Sequence, residues 1–142
     1  MAEKKKTTKA KKPKVVVERG KRKEATARAT ISQGKGMLYY NGLSLSAISS
    51  PYVKDIISEP LLFVDPMQYD ISVTVKGGGI MGQAQAARTA IAKGLVKFTG
   101  DEALKNKMVE QDRSLLVEDA RRVEPKKFKG PGARARFTKS YR

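Results

Sequence analysis

The sequence predicts an α/β (α+β) domain, a mixed or antiparallel sheet with its helices largely on one side, extended by basic arms at both ends. Two segments, Ala25 to Ser32 and Tyr69 to Lys76, alternate apolar and polar residues with a period of two. One long segment, Ile80 to Phe98, repeats its apolar residues at helical spacing. The excess charge lies outside both patterns. Residues 1–24 hold 11 Lys/Arg against 3 Asp/Glu, residues 121–142 hold 9 against Glu124 alone, and residues 25–120 hold 10 of each. This divides the chain into a basic N-terminal arm (1–13), a globular domain (14–120) and a basic tail (121–142).

The elements follow in order. Val15-Val16-Val17 starts a short strand, and Lys21-Arg22-Lys23 reads as a turn. In the next strand Ala25, Ala27, Ala29 and Ile31 share one face, with Thr26, Arg28, Thr30 and Ser32 on the other. Gln33-Gly34-Lys35-Gly36 turns the chain into a strand over Met37–Tyr40, and Asn41-Gly42 turns it again. Ser50 before Pro51 resembles an N-cap, opening a helix that buries Val53, Ile56 and Ile57. Pro60 and Asp65-Pro66 redirect the chain into the strand of Tyr69, Ile71, Val73 and Val75. The longest helix follows, its stripe formed by Ile80, Ala84, Ala87, Ile91, Leu95 and Phe98, with alanines and Gly94 that let it sit close to a sheet. Thr99-Gly100 ends it, and Asp101-Glu102 start a last helix carrying Leu104 and Met108.

Composition narrows the function. The net charge is +16, and the 142 residues include no cysteine and no histidine, which removes disulfides, thiol chemistry and the commonest general base. No apolar run is long enough for a membrane span, and no secretory signal is read at the start. No enzyme, cofactor or metal site is expected. The run Lys76-Gly77-Gly78-Gly79-Ile80-Met81-Gly82 satisfies the G-x-G-x-x-G pattern, yet too little chain follows to build the parallel strand a dinucleotide site needs. Two compatible readings remain. The glycines permit a tight strand-to-helix connection, or the helix N-terminus holds a phosphate of RNA with Lys76, Gln83 and Arg88 as nearby donors. The tail, "RRVEPKKFKGPGARARFTKSYR", interleaves cations with Phe128, Phe137 and Tyr141 and breaks helix formation at Pro125 and Gly130-Pro131-Gly132. Its content is too polar to fold alone, whereas among phosphates and bases it gains counterion release and stacking. Fully extended, it reaches about 70 Å.

Three stretches in this order, Gly20-Lys21-Arg22-Lys23-Glu24-Ala25-Thr26-Ala27-Arg28, "GGGIMGQAQAARTAIAKGL" and the tail, resemble the ribosomal protein S-nine family of the small subunit. The resemblance covers residues 14–142, and the ending Lys139-Ser140-Tyr141-Arg142 is similar to archaeal and eukaryotic members. It implies a ribosomal S-five domain-two-like fold, a place in the ribosome in the cytoplasm, and partners among small-subunit rRNA (head, 3′ major domain) and neighbouring head proteins. It further implies a tail running toward the anticodon stem-loop of peptidyl-site tRNA, with Arg142 at the contact and Tyr141 and Lys139 behind it. Tyr141 stands where the bacterial type has lysine. The expected rRNA contacts are Lys21, Arg22, Lys23 and Arg28; then Lys76, Gly78, Gly79, Gln83 and Arg88; then Arg121, Arg122, Lys126, Lys127, Lys129, Arg134 and Arg136. Two other classes stay open: a nucleotide enzyme using the glycines with Lys76 or Asp70, and a protein that compacts nucleic acid or coats a membrane surface by charge alone.

Overall fold

A computed structural model describes residues 14–139. Five strands form one mixed sheet: β1 (Val15–Arg22), β2 (Ala25–Gln33), β3 (Leu38–Tyr40), β4 (Leu43–Ser44) and β5 (Tyr69–Lys76). Their spatial order is β1-β2-β5-β3-β4, with β3 and β5 parallel and every other pair antiparallel. Three helices, α1 (Pro51–Ser58), α2 (Ile80–Thr99) and α3 (Glu102–Gln111), complete the architecture.

The alternation in β2 and β5 decides which face is covered. Ala25, Ala27, Ala29, Ile31, Ile71, Val73 and Val75 are buried against α2, and their neighbours in sequence point away from it. Alanine on both surfaces lets helix and sheet approach closely. At two points even alanine is too large. A Cβ on Gly94 would sit 2.7 Å from Ile31 Cδ1, and one on Gly20 would sit 2.6 Å from the Ala90 nitrogen and closer still to the Ala86 carbonyl oxygen. The second layer of the core lies on the far side of α2, where Ala92 packs with Leu104, Met108 and Leu115. This explains why Ala92, and Thr89 beside Ser114, are buried although they lie outside the single stripe read from the sequence; Ala86 is buried on the sheet side, against Gly20.

Several local expectations change. Lys21 and Arg22 belong to β1, not to a turn, because Lys21 pairs with Thr26 and Arg22 with Ala25; the reversal is confined to Lys23 and Glu24. Ser50 occupies the N-cap of α1, with Pro51 in the first turn, yet its side chain makes no capping bond. Ile56 is only half-buried, and Ile80 is 71% exposed because the first turn of α2 projects past the sheet, so its stripe begins at Ala84. Asp101 does cap α3, accepting from the Ala103 N–H at 2.9 Å. Asp70, a candidate in the enzyme reading, is tied up structurally. It accepts from the backbone N–H groups of Lys35 (2.8 Å) and Met37 (3.0 Å), which fix the turn before β3 and hold its carboxyl below the usual range.

The sheet has two unlike ends. On one, β4 is two residues long; on the other, β1 carries Arg19, Lys21 and Arg22, meets a single bridge from Asp119 to Arg22, and has the Arg19 carbonyl covered by Lys93 Nζ at 3.5 Å.

Candidate nucleic-acid interface

The glycine run forms the turn between β5 and α2. Gly77 and Gly78 have φ of +75° and +67°, and a Cβ there would meet Glu24 O at 2.7 Å and Ala25 N at 2.8 Å. Glycine is therefore required twice over, by left-handed backbone and by contact with the β1–β2 hairpin. The helix leads into α3 and not into a parallel strand, so the run does not open a dinucleotide-binding unit. Gln83 closes the turn from within: its Nε2 donates to Gly77 O at 3.1 Å, and Tyr40 Oη donates to its Oε1 at 3.5 Å. Gly79 is the N-cap of α2, and a Cβ there would meet nothing within 4 Å. Lys76 stands exposed at the end of β5.

Arg88 does not belong with these residues. It lies nine residues along α2 from Gly79, about 13 Å by helical rise. Its Nη1 donates to Glu59 Oε2 at 2.6 Å, and its Nη2 donates to Asp112 Oδ2 at 3.1 Å and to Ser114 Oγ. Asp112 in turn accepts from the Ser114 hydroxyl and backbone N–H, and these bonds, with Arg88, hold its carboxyl below the ordinary range. Arg88 thus joins α2 to Glu59 just after α1 and to Asp112 and Ser114 just after α3, and its Nε is buried without a partner. Its charge is spent inside the protein.

Other candidates are also internally engaged. Arg22 ion-pairs with Asp119 and donates from Nε to Gln85 Oε1 at 2.9 Å. Asp119 accepts from Arg121 Nε at 2.7 Å, and Arg122 Nη1 pairs with Glu24 at 2.8 Å. A cavity of about 130 Å³ beside these groups is lined by Lys21, Arg22, Arg88 and Arg121, with Asp119 pairing Arg22 and Arg121 at its wall. Lys23 is exposed in the hairpin turn with φ of +53°.

From residue 120 to 139 the chain carries no helix or strand. It is nevertheless looped. Arg134 makes a two-pronged pair with Glu124 (Nη2 to Oε1, 2.7 Å; Nε to Oε2, 3.1 Å), and Arg136 Nη1 donates to Phe128 O at 3.2 Å. Gly130 sits at the crowded point, where a Cβ would overlap the Ala135 carbonyl. The full extension considered above does not apply to this stretch, because these bonds bring residues eight and ten apart together. Lys126, Lys127 and Lys129 form no ion pair among the described residues, and Phe128 and Phe137 are exposed. Lys139 is exposed at the end of the described chain; Tyr141 and Arg142 lie outside the described residues.

Comparison with known proteins agrees with this architecture. Residues 20–142 match the family model described as ribosomal protein S9/S16. The chain is 47% identical over 131 residues to the small ribosomal subunit protein uS9 of Methanothrix thermoacetophila, covering 91% of this chain and 99% of that one. It is 45% identical over 129 residues to the protein of the same name from Thermoplasma volcanium, covering 89% and 98%, and 46% identical over 125 residues to that of Thermoplasma acidophilum, covering 87% and 97%. With nearly end-to-end similarity to these archaeal proteins and a matching family model, the chain belongs to the ribosomal protein S9/S16 family.

Proposed function

We propose that this protein is a non-enzymatic structural constituent of the small ribosomal subunit. In this reading its neutral body anchors in the head, its basic ends hold rRNA of the 3′ major domain, and its tail extends toward peptidyl-site tRNA. The observation that carries the reading is the tail. Three lysines without acid partners among the described residues and two exposed phenylalanines stand on residues 120–139, which form no helix or strand. Cations alone would serve any polyanion. Exposed aromatic rings beside them suit a partner with bases to stack on. Arg88 is left out of the interface, because moving it would strand Glu59 and Asp112.

Neutralising Lys126, Lys127, Lys129, Arg134 and Arg136 together should flatten the dependence of log affinity on log salt for small-subunit rRNA. The expected change is about 0.7–0.9 per lost phosphate contact, and an unchanged slope would remove the tail from the interface. Deleting residues 139–142 should leave folding and rRNA affinity intact while tRNA leaves the peptidyl site faster. Dissociation at the wild-type rate would refute the tRNA contact.

A further inference from the structure

We propose that the uncovered face of the sheet is a docking surface for the sugar–phosphate backbone of an RNA duplex. The proposal rests on the rRNA-binding reading above and deepens it, because it assigns to the globular body an RNA contact of its own.

Residues 25–120 hold as many acids as bases, and β1 adds Arg19, Lys21 and Arg22 against Glu18, so position decides where the cations stand free. On the helix side, and along the outer edge of β1, five acids find cations: Glu18 with Lys97 (2.5 Å), Glu118 with Lys93 (2.8 Å), Glu59 and Asp112 with Arg88, and Asp119 with Arg22; Asp70, across from Ser32 on the uncovered face, is held by the Lys35 and Met37 N–H groups. The strand register then collects cations on the opposite face. Arg19 stands directly across from Arg28, and Lys21 and Lys76 flank Thr26 from either side. Among the described residues Lys21, Arg28 and Lys76 make no ion pair, and Arg19 reaches Glu118 only at 4.0 Å while 64% exposed. Like charges placed opposite each other across strands weaken a sheet, so this arrangement makes physical sense as a surface that meets an anion.

The chemistry of the surface selects the form of the anion. A shallow groove of about 420 Å³ runs across β1, β2 and β5, lined by Val17, Thr26, Arg28, Thr30, Thr74 and Lys76. Three hydroxyls can donate to phosphate oxygens or accept from ribose 2′-hydroxyls, and the two cations supply charge. No aromatic ring lines the groove. A sheet that grips single-stranded RNA stacks bases on aromatic side chains, whereas an A-form duplex offers 2′-hydroxyls and phosphates across a wide, shallow groove. Tyr39, across from Ser72 and exposed on the same face, lies outside the groove; the groove itself, with hydroxyls and cations and no ring, fits the duplex.

The sequence has no cysteine, so a single introduced thiol is unique. Thr30→Cys and Thr74→Cys, each carrying a tethered iron–EDTA group in the full chain bound to small-subunit rRNA, should cut both strands of one helical segment. Val109→Cys on α3 should not cut that segment, while Thr138→Cys should cut elsewhere in the rRNA. Cutting from Thr138 alone overturns the sheet surface and leaves the tail reading standing; cutting from none overturns both. Cuts confined to an unpaired strand, or fragmentation of a neighbouring protein in place of RNA, also overturn it. In the chain with its tail intact, Arg28→Gln with Lys76→Gln should flatten the salt slope by about 1.4–1.8, two phosphate contacts' worth. An unchanged slope counts against it.

Discussion

Gly20→Val is expected to cost about 3 kcal/mol or more, enough to threaten a fold whose whole stability is about 5–15 kcal/mol. The position tolerates nothing because both atoms that a Cβ meets, Ala90 N at 2.6 Å and the nearer Ala86 O, are helix backbone. A flexible side chain could rotate aside. Two turns of α2 cannot, so β1 must lift from the helix and expose the alanine seam. In urea unfolding the midpoint should fall without a change in slope. Gly79→Ala is the control: its Cβ meets nothing within 4 Å, and only the N-cap preference is lost, about 1 kcal/mol or less. Equal midpoints for Gly20→Val and wild type would contradict the close approach of β1 to α2.

The second large effect belongs to Arg88→Met. The change keeps the length and apolar stem but leaves the Glu59 and Asp112 carboxylates facing each other without their cation. Removing one partner of a fully buried pair costs about 3–5 kcal/mol; here the acids remain roughly a third exposed, so about 2 kcal/mol is expected. The pH dependence has a defined sign. Asp112's carboxyl is held low in the folded state by Ser114 and then Arg88, so its contribution is present above the unfolded value near 3.9 and is lost as pH falls through the folded value. In Arg88→Met that folded value moves back toward the ordinary one. The gap between wild type and variant should therefore be widest at neutral pH and shrink below pH ~4. A gap of the same size at pH 7 and pH 3 would show that Arg88 acts through packing alone.

What the sequence revealed and what it hid divide along the range of the interactions. The period of two in β2 and β5 and the alanine pattern of α2 are local; the latter points to buried Ala84, Ala87, Ile91 and Leu95, while Phe98 is only half-buried and Ala86, Thr89, Ala90 and Ala92 are buried outside the stripe. Lys21 and Arg22 carry the signal of a turn, since a basic cluster looks like a loop until its partners, Thr26 and Ala25, are known. β4, with only two residues, leaves no periodic signal beyond the Asn41-Gly42 turn. The site was legible as charge and illegible as pairing. Arg88 meets Glu59 and Asp112 across separations of 29 and 24 residues, and Arg122 meets Glu24 across 98. No spacing rule reaches so far. The open face of the sheet was half visible: alternation placed Arg28 and Lys76 outward, but their grouping with Arg19 and Lys21 needed the strand order.

The unlike ends of the sheet bear on the life of the chain between synthesis and incorporation. A growing β-stack needs a long, flat, neutral border to copy. Here one border is too short to template a partner, and the other would force the Arg19, Lys21 and Arg22 of two molecules into the same narrow space. Self-association through main-chain pairing is thereby penalised, and the surfaces proposed above for RNA stay uncovered.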